Sequence, residues 1–241
     1  MIVGCTVALV ALALVLGSLH SPIFAVRHVR VSGAAHVTPS QIIDAAGLAG
    51  SHQMIDVAGR SRSRAVEGLA WVRRAEVRRE WPATVRITVT ERSPVALVGG
   101  ATGSSIVDAT GRILAEGVPA GHLPSVSVGT SGGPIVGQGS PGAVLPPQFG
   151  PALAVAAAMP PALNPHVDGI VSADSGVRLS LVGGGTAWLG SGDRITDKLV
   201  AVLTLIERER VGAGALDVSV PTAPVLTASP TTGNFSTRTG G

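Results

Sequence analysis

The chain has 241 residues, enough for one or two small domains, and its 45% hydrophobic content with only 2% aromatics and no Tyr calls for a core of Ala, Val, Leu and Ile. A net charge of +3 argues against a nucleic-acid-binding surface, and the isoelectric point near 10.3 follows from the near absence of Tyr and Cys. The single cysteine, Cys5, excludes an intrachain disulfide and a thiolate metal site, and reads as a small buried hydrophobe.

Ile2 to Leu19 carries no charge. At ~1.5 Å rise per residue it spans roughly 27 Å, close to a ~30 Å hydrocarbon core, so residues 1–20 are expected to form a transmembrane helix. No A-x-A cleavage site follows, which favours an uncleaved anchor over a signal peptide. No Lys or Arg precedes the segment, while Arg27 and Arg30 follow it. A positive-inside count on so few charges is weak, and a start site upstream of Met1 would supply the basic cytoplasmic tail that an outward-facing chain needs.

Val26 to Ser32 alternates and reads as a strand ending at Gly33. Thr38 as N-cap, Pro39 at the first helical position and Gln41 two residues on form a capping box, with Ile42, Ile43 and Ala46 inward and Gly47 as the stop. A second helix is expected over Ser61–Gly68, with Ala65, Val66 and Leu69 inward. Seven arginines between Arg60 and Arg79 read first as a solvated face, second as a surface near anionic lipid. Leu69 to Ala96 then reads as two strands joined by a turn at Trp81-Pro82, with Val85, Ile87 and Val89 alternating against Arg86, Thr88 and Thr90.

The order strand, helix, helix, strand, strand, with the run from Trp71 to Ala96 and the step His52-Gln53-Met54-Ile55-Asp56, resembles the POTRA domain of the FtsQ/DivIB cell-division family. The signature residues are Trp71, Val72, Arg79, Trp81, Pro82, Glu91, Arg92 and Pro94. The Ala/Gly/Arg bias fits a GC-rich genome of actinobacterial type.

Ile106 to Leu114 reads as a hairpin framed by Asp108 and Gly111, and resembles that family's second domain. Leu123 to Pro151 is Pro/Gly-rich and reads as loop, and Pro151 to Met159 as a short helix. Strands are expected at Val177–Leu181 and Ala187–Leu189. Asp193 would cap an amphipathic helix carrying Ile195, Lys198, Leu199, Val202, Leu203 and Ile206, with Gly212 as its stop. A last strand of Ala215, Leu216, Asp217, Val218, Ser219 and Val220 ends at Pro221.

The expected architecture is α+β: a transmembrane helix at 1–20, a POTRA domain (β-α-α-β-β) at 24–92, a mixed β domain at 93–226 with an amphipathic helix, and a disordered tail at 227–241. The resemblance implies a non-enzymatic divisome assembly factor without cofactor or metal, bound to the cytoplasmic membrane at the septum with its bulk outside. It implies partners of FtsB and FtsL type, and septal synthesis proteins of FtsW and FtsI type. The route would be strand addition to Ala215–Val220 as a sheet edge. A POTRA-type chaperone or secretion and outer-membrane assembly module is the alternative.

Three motif matches point elsewhere and fail on context. Gly129-Thr130-Ser131-Gly132-Gly133-Pro134, His36 and Asp108 imitate a serine-protease triad, but Asp108 and Ser131 stand too close in sequence to span a second barrel. Gly137 to Gly142 matches a dinucleotide fingerprint without a flanking strand and helix. The six histidines show no metal-ligand spacing.

Overall fold

A computed structural model describes residues 24–100, 103–117, 119, 121–129, 140–209 and 214–227. The chain divides into two compact units between Ser93 and Pro94. Among the described residues no helix is long and apolar enough to cross a membrane. The apolar segment 2–19, Gly212 and most of the tail lie outside them.

The first unit runs β1 (His28–Ser32), α1 (Pro39–Ala45), a 3-10 turn (Met54–Asp56), α2 (Gly59–Glu67), β2 (Val72–Glu80) and β3 (Thr84–Glu91). Its sheet has the order β1-β3-β2, with β1 parallel to β3 and β2 antiparallel to it. The capping box forms as read: Thr38 Oγ1 accepts the Gln41 N–H, and Gln41 Oε1 accepts the Thr38 N–H. Alternation sends Val85, Ile87 and Val89 inward against Ile42, Met54, Val57 and Val66. Gly33 ends β1 at φ +84°, where a Cβ would lie 2.1 Å from the Val89 carbonyl oxygen, so only glycine fits. Helix α2 starts two residues earlier than expected. Ala65 is exposed rather than inward, because Val66 takes the single fully buried position of the helix.

The second unit is a nine-stranded mixed sheet. Its strands are β4 (Pro94–Gly100), β5 (Gly103–Asp108), β6 (Ile113–Glu116), β7 (Ser125–Val128), β8 (Val167–Ala173), β9 (Gly176–Leu181), β10 (Thr186–Gly190), β11 (Ala215–Asp217) and β12 (Val225–Thr227). Their spatial order is β12-β11-β10-β9-β8-β7-β4-β5-β6. Two helices, α3 (Gly150–Ala158) and α4 (Ile195–Glu209), belong to this unit. Phe149, Leu153, Leu163, Ile170, Leu179, Leu189, Leu199 and Val202 centre its core.

Strand β7 corrects the reading of 123–151 as loop. It lies between β4 and β8, parallel to both. It escapes periodicity because it has four residues between Pro124 and Gly129, and only Val126 is fully buried. Strand β8 was not anticipated either, since Asp168, Gly169 and Ser172 interrupt its apolar positions.

Candidate partner-binding edge

The signature residues of the first unit form a structural cluster. The Glu91 carboxylate accepts the backbone N–H groups of Ala35 (2.9 Å), His36 (2.9 Å) and Val37 (3.1 Å), and meets His36 Nδ1 at 2.7 Å. The His36 ring stacks on Trp71 with centroids 3.9 Å apart and planes 4° from parallel. Arg92 is tied to the start of β2: its N–H donates to Trp71 O, and its Nε donates to Val72 O. Val72 itself is fully buried. Arg79 donates to Met54 O at 3.3 Å and sits over the Trp81 ring. The Trp81-Pro82 peptide is cis. Pro94 opens β4, opposite Asp108 in the second unit.

This cluster gives the unit a defined acid response. Burial alone pushes the Glu91 carboxyl up, but the hydrogen bonds from His36 and from the three N–H groups outweigh it and hold the carboxyl below its ordinary range. A depressed native pKa stabilises fully above the unfolded value, and that contribution is lost as pH falls through the native one. The unfolding midpoint of this unit is therefore expected to fall once pH drops below about 4.3, and Glu91→Gln to flatten that fall. Equal acid slopes in parent and variant, followed by Trp fluorescence, would contradict the assignment.

The protease imitation dissolves residue by residue. His36 is held by Glu91, and Asp108 Oδ1 accepts from Thr110 N, Thr110 Oγ1 and Arg112 N to shape the β5–β6 turn. Ser131 and Gly137–Gly139 lie outside the described residues. Among the described residues no cluster of His, Cys, Asp or Glu could hold a metal ion.

At the far end of the large sheet the expected last strand differs in two ways. It stops at Asp217, because Asp217 Oδ1 accepts the Ser219 N–H at 2.9 Å and turns the chain out of the ladder. Pro221 and Pro224 follow, and the chain then returns as β12, antiparallel to β11. Ala215, Leu216 and Asp217 are thus paired on both sides, to β10 and to β12, and are not the outermost strand. Leu216 and Val218 are buried, whereas Val220 is 54% exposed. The sequence signal for β12 was faint: three residues, Val225-Leu226-Thr227, straddling the 226/227 boundary read as the start of the tail.

Strand β12 presents Val225 and Leu226 at 57% and 43% exposure. Beside it, α4 and the Pro221–Pro224 turn enclose a groove of about 450 Å³, lined by Val200, Ala201, Leu205, Pro221 and Pro224 with Thr204 and Thr222, and with the charged Arg194, Asp197 and Arg208 also on its wall. The base of α4 is fixed by Lys198, which is fully buried and donates to Ser191 O (2.9 Å) and Asp193 Oδ1 (3.2 Å). The carboxylate of Asp193, expected to cap α4, instead accepts from Ser191 Oγ and Lys198, which hold its pKa low.

The architecture is thus a β-α-α-β-β unit followed by a nine-stranded mixed sheet that ends on a three-residue outer strand. The family described as "POTRA domain, FtsQ-type" matches residues 24–92, and that described as "Cell division protein FtsQ/DivIB, C-terminal" matches residues 96–219. The chain is 31% identical to the cell division protein FtsQ of Streptomyces venezuelae, over 86% of this chain and 75% of that protein. It is 27% identical to FtsQ of Corynebacterium glutamicum, over 86% and 90%, and 28% identical to FtsQ of Mycolicibacterium smegmatis, over 91% and 62%. The chain belongs to the FtsQ/DivIB family of bacterial cell-division proteins. That family is a cell-division scaffold, not a known enzyme family, and its members are septal membrane proteins.

Proposed function

We propose that this chain is a non-enzymatic assembly factor of the divisome, held in the cytoplasmic membrane by residues 1–20 with both described units outside. It links early to late division proteins by binding partners of FtsB and FtsL type, and through them septal synthesis proteins of FtsW and FtsI type. The route is strand addition at the β12 end of the large sheet. The observation that supports it most is the position of β12: a strand at the end of the strand order that exposes Val225 and Leu226, beside a largely apolar groove, in a unit whose family is a division scaffold. An outer strand offers backbone N–H and C=O groups to an incoming strand, and the groove receives side chains next to it. Of residues 215–220, first read as that edge, Ala215–Asp217 become the strand next to it, pairing with β12 and setting its register.

A fluorescent fusion of the full chain is expected to form septal rings, and its depletion to give filamentous or branched cells. Uniform membrane fluorescence with normal division on depletion would overturn the proposal.

A further inference from the structure

Trp81 is the one exposed Trp or Phe side chain among the described residues, at 51% exposure, and the pairing of the first sheet decides where it sits. Because β1 and β3 are parallel, with His28 opposite Thr84, the β2–β3 turn lies at the end of the unit where the chain arrives from its N-terminal segment. The N–H groups of Arg27 and His28 both donate to Ala83 O, at 2.8 and 3.1 Å. The Phe24 ring meets Trp81 edge-on with centroids 5.6 Å apart. Phe24 stands only five residues beyond Leu19, the last residue of the uncharged apolar stretch.

Those five residues reach at most roughly 18 Å when extended and about 7.5 Å when helical. The headgroup layer adds only ~5–8 Å on each side of a ~30 Å hydrocarbon core. If the apolar stretch crosses a bilayer, the Phe24–Trp81 pair is therefore held within roughly 13 Å of the outer face of the headgroups, and at their level if the helix continues to Phe24. Trp is enriched at that depth, where its ring is half in apolar and half in polar surroundings. The charges at this end agree with an anionic surface. The Arg79 guanidinium sits 6.0 Å over the Trp81 ring, and the exposed Arg27 is bonded to the turn through its backbone N–H. The nearby Glu80 carboxylate is bound by Arg86 Nε, while Asp56 is the other exposed acid close to this end.

We infer that the Trp81-Pro82 turn is a membrane foot: Trp81 and Phe24 enter the headgroup layer of the bilayer that holds residues 1–20, with Arg79 and Arg27 at the level of anionic lipid phosphates. The foot sets the height and tilt of the first unit over the membrane. It gives the exposed tryptophan a role in lipid contact rather than in folding. The inference rests on the anchored reading of residues 1–20.

The test uses the full chain reconstituted into vesicles of phosphatidylglycerol and shallow-brominated phosphatidylcholine, with flotation run in parallel. Trp71, Trp81 and Trp188 are the only tryptophans. A Trp71→Phe, Trp188→Phe chain, in which Trp81 alone emits, is expected to lose at least about half its emission to the brominated lipid, as an interfacial indole does. Trp81→Phe is expected to leave the remaining emission unquenched. A chain that floats with the vesicles while Trp81 stays unquenched overturns the foot and leaves the anchor standing. The foot also falls if Trp81→Phe keeps the quenching of the parent. A chain that does not float shows that the anchored reading itself fails, and the foot with it.

Discussion

Glu91→Ala is expected to destabilise the first unit by about 2–4 kcal/mol, the net loss of several charge-assisted hydrogen bonds of which two are to exposed backbone that water can re-satisfy. Ala35 and His36 present exposed N–H groups, but Val37 is buried, so the loss of its bond to the carboxylate is the larger cost. The loop between β1 and α1 would then detach from the end of β3, and the His36 ring would lose the bond at 2.7 Å that keeps it parallel to Trp71. Glu91→Gln keeps an acceptor and is expected to lose less, about 1 kcal/mol. Urea unfolding of the full chain in a Trp81→Phe, Trp188→Phe background, followed by Trp71 emission, measures both variants, and a change under about 0.5 kcal/mol for Glu91→Ala would show that the cluster is solvated rather than structural. The expectation explains why a Glu-Arg pair closes the most distinctive stretch of the sequence. Glu91 ties β3 to the loop before α1, and Arg92 ties it to the start of β2.

The first unit was legible because its signals are local. A capping box needs residues three apart, and β3 alternates strictly over eight residues. The second unit was legible only in part, because what matters there is pairing between distant segments. Four residues of β7 sit in the middle of a nine-stranded sheet, yet nothing in Ser-Val-Ser-Val marks them as central. The same limit governs the candidate site. Alternation of Leu216, Val218 and Val220 suggested one continuous edge strand, but periodicity carries no information on which strand lies outside which. The Asp217 side chain ends the strand by bonding the Ser219 N–H, and two prolines then bring the chain back to cover it. The burial of Lys198 was also invisible, since its partners Ser191 O and Asp193 gather around it only when α4 folds.

The displaced edge changes how partner binding must be probed. Proline at Val218, the natural choice if Ala215–Val220 were the edge, would strike a fully buried residue whose N–H donates to Trp188 O at 2.9 Å, and would damage the fold. Leu226 is the informative position. Val218 N–H and Gly214 O bond to β10, so by alternation Gly214, Leu216 and Val218 turn their backbone groups toward β10. Ala215 and Asp217 then bond to Thr227 and Val225, their register partners in β12. Leu226 N–H and C=O point away, along the outer side of the sheet. A proline is tolerated on an outer strand where its missing N–H faces outward, so Leu226→Pro removes the donor an added strand needs and leaves the β11–β12 ladder its own.

The most direct measurement is co-purification of the cognate FtsB–FtsL pair with the full chain in detergent, comparing parent and Leu226→Pro. Strand addition at β12 predicts at least about a tenfold loss of captured partner, as expected when a desolvated backbone hydrogen bond is removed and the incoming strand sterically blocked, with the unfolding midpoint unchanged. Undiminished capture by Leu226→Pro would contradict the placement of the docking edge at β12.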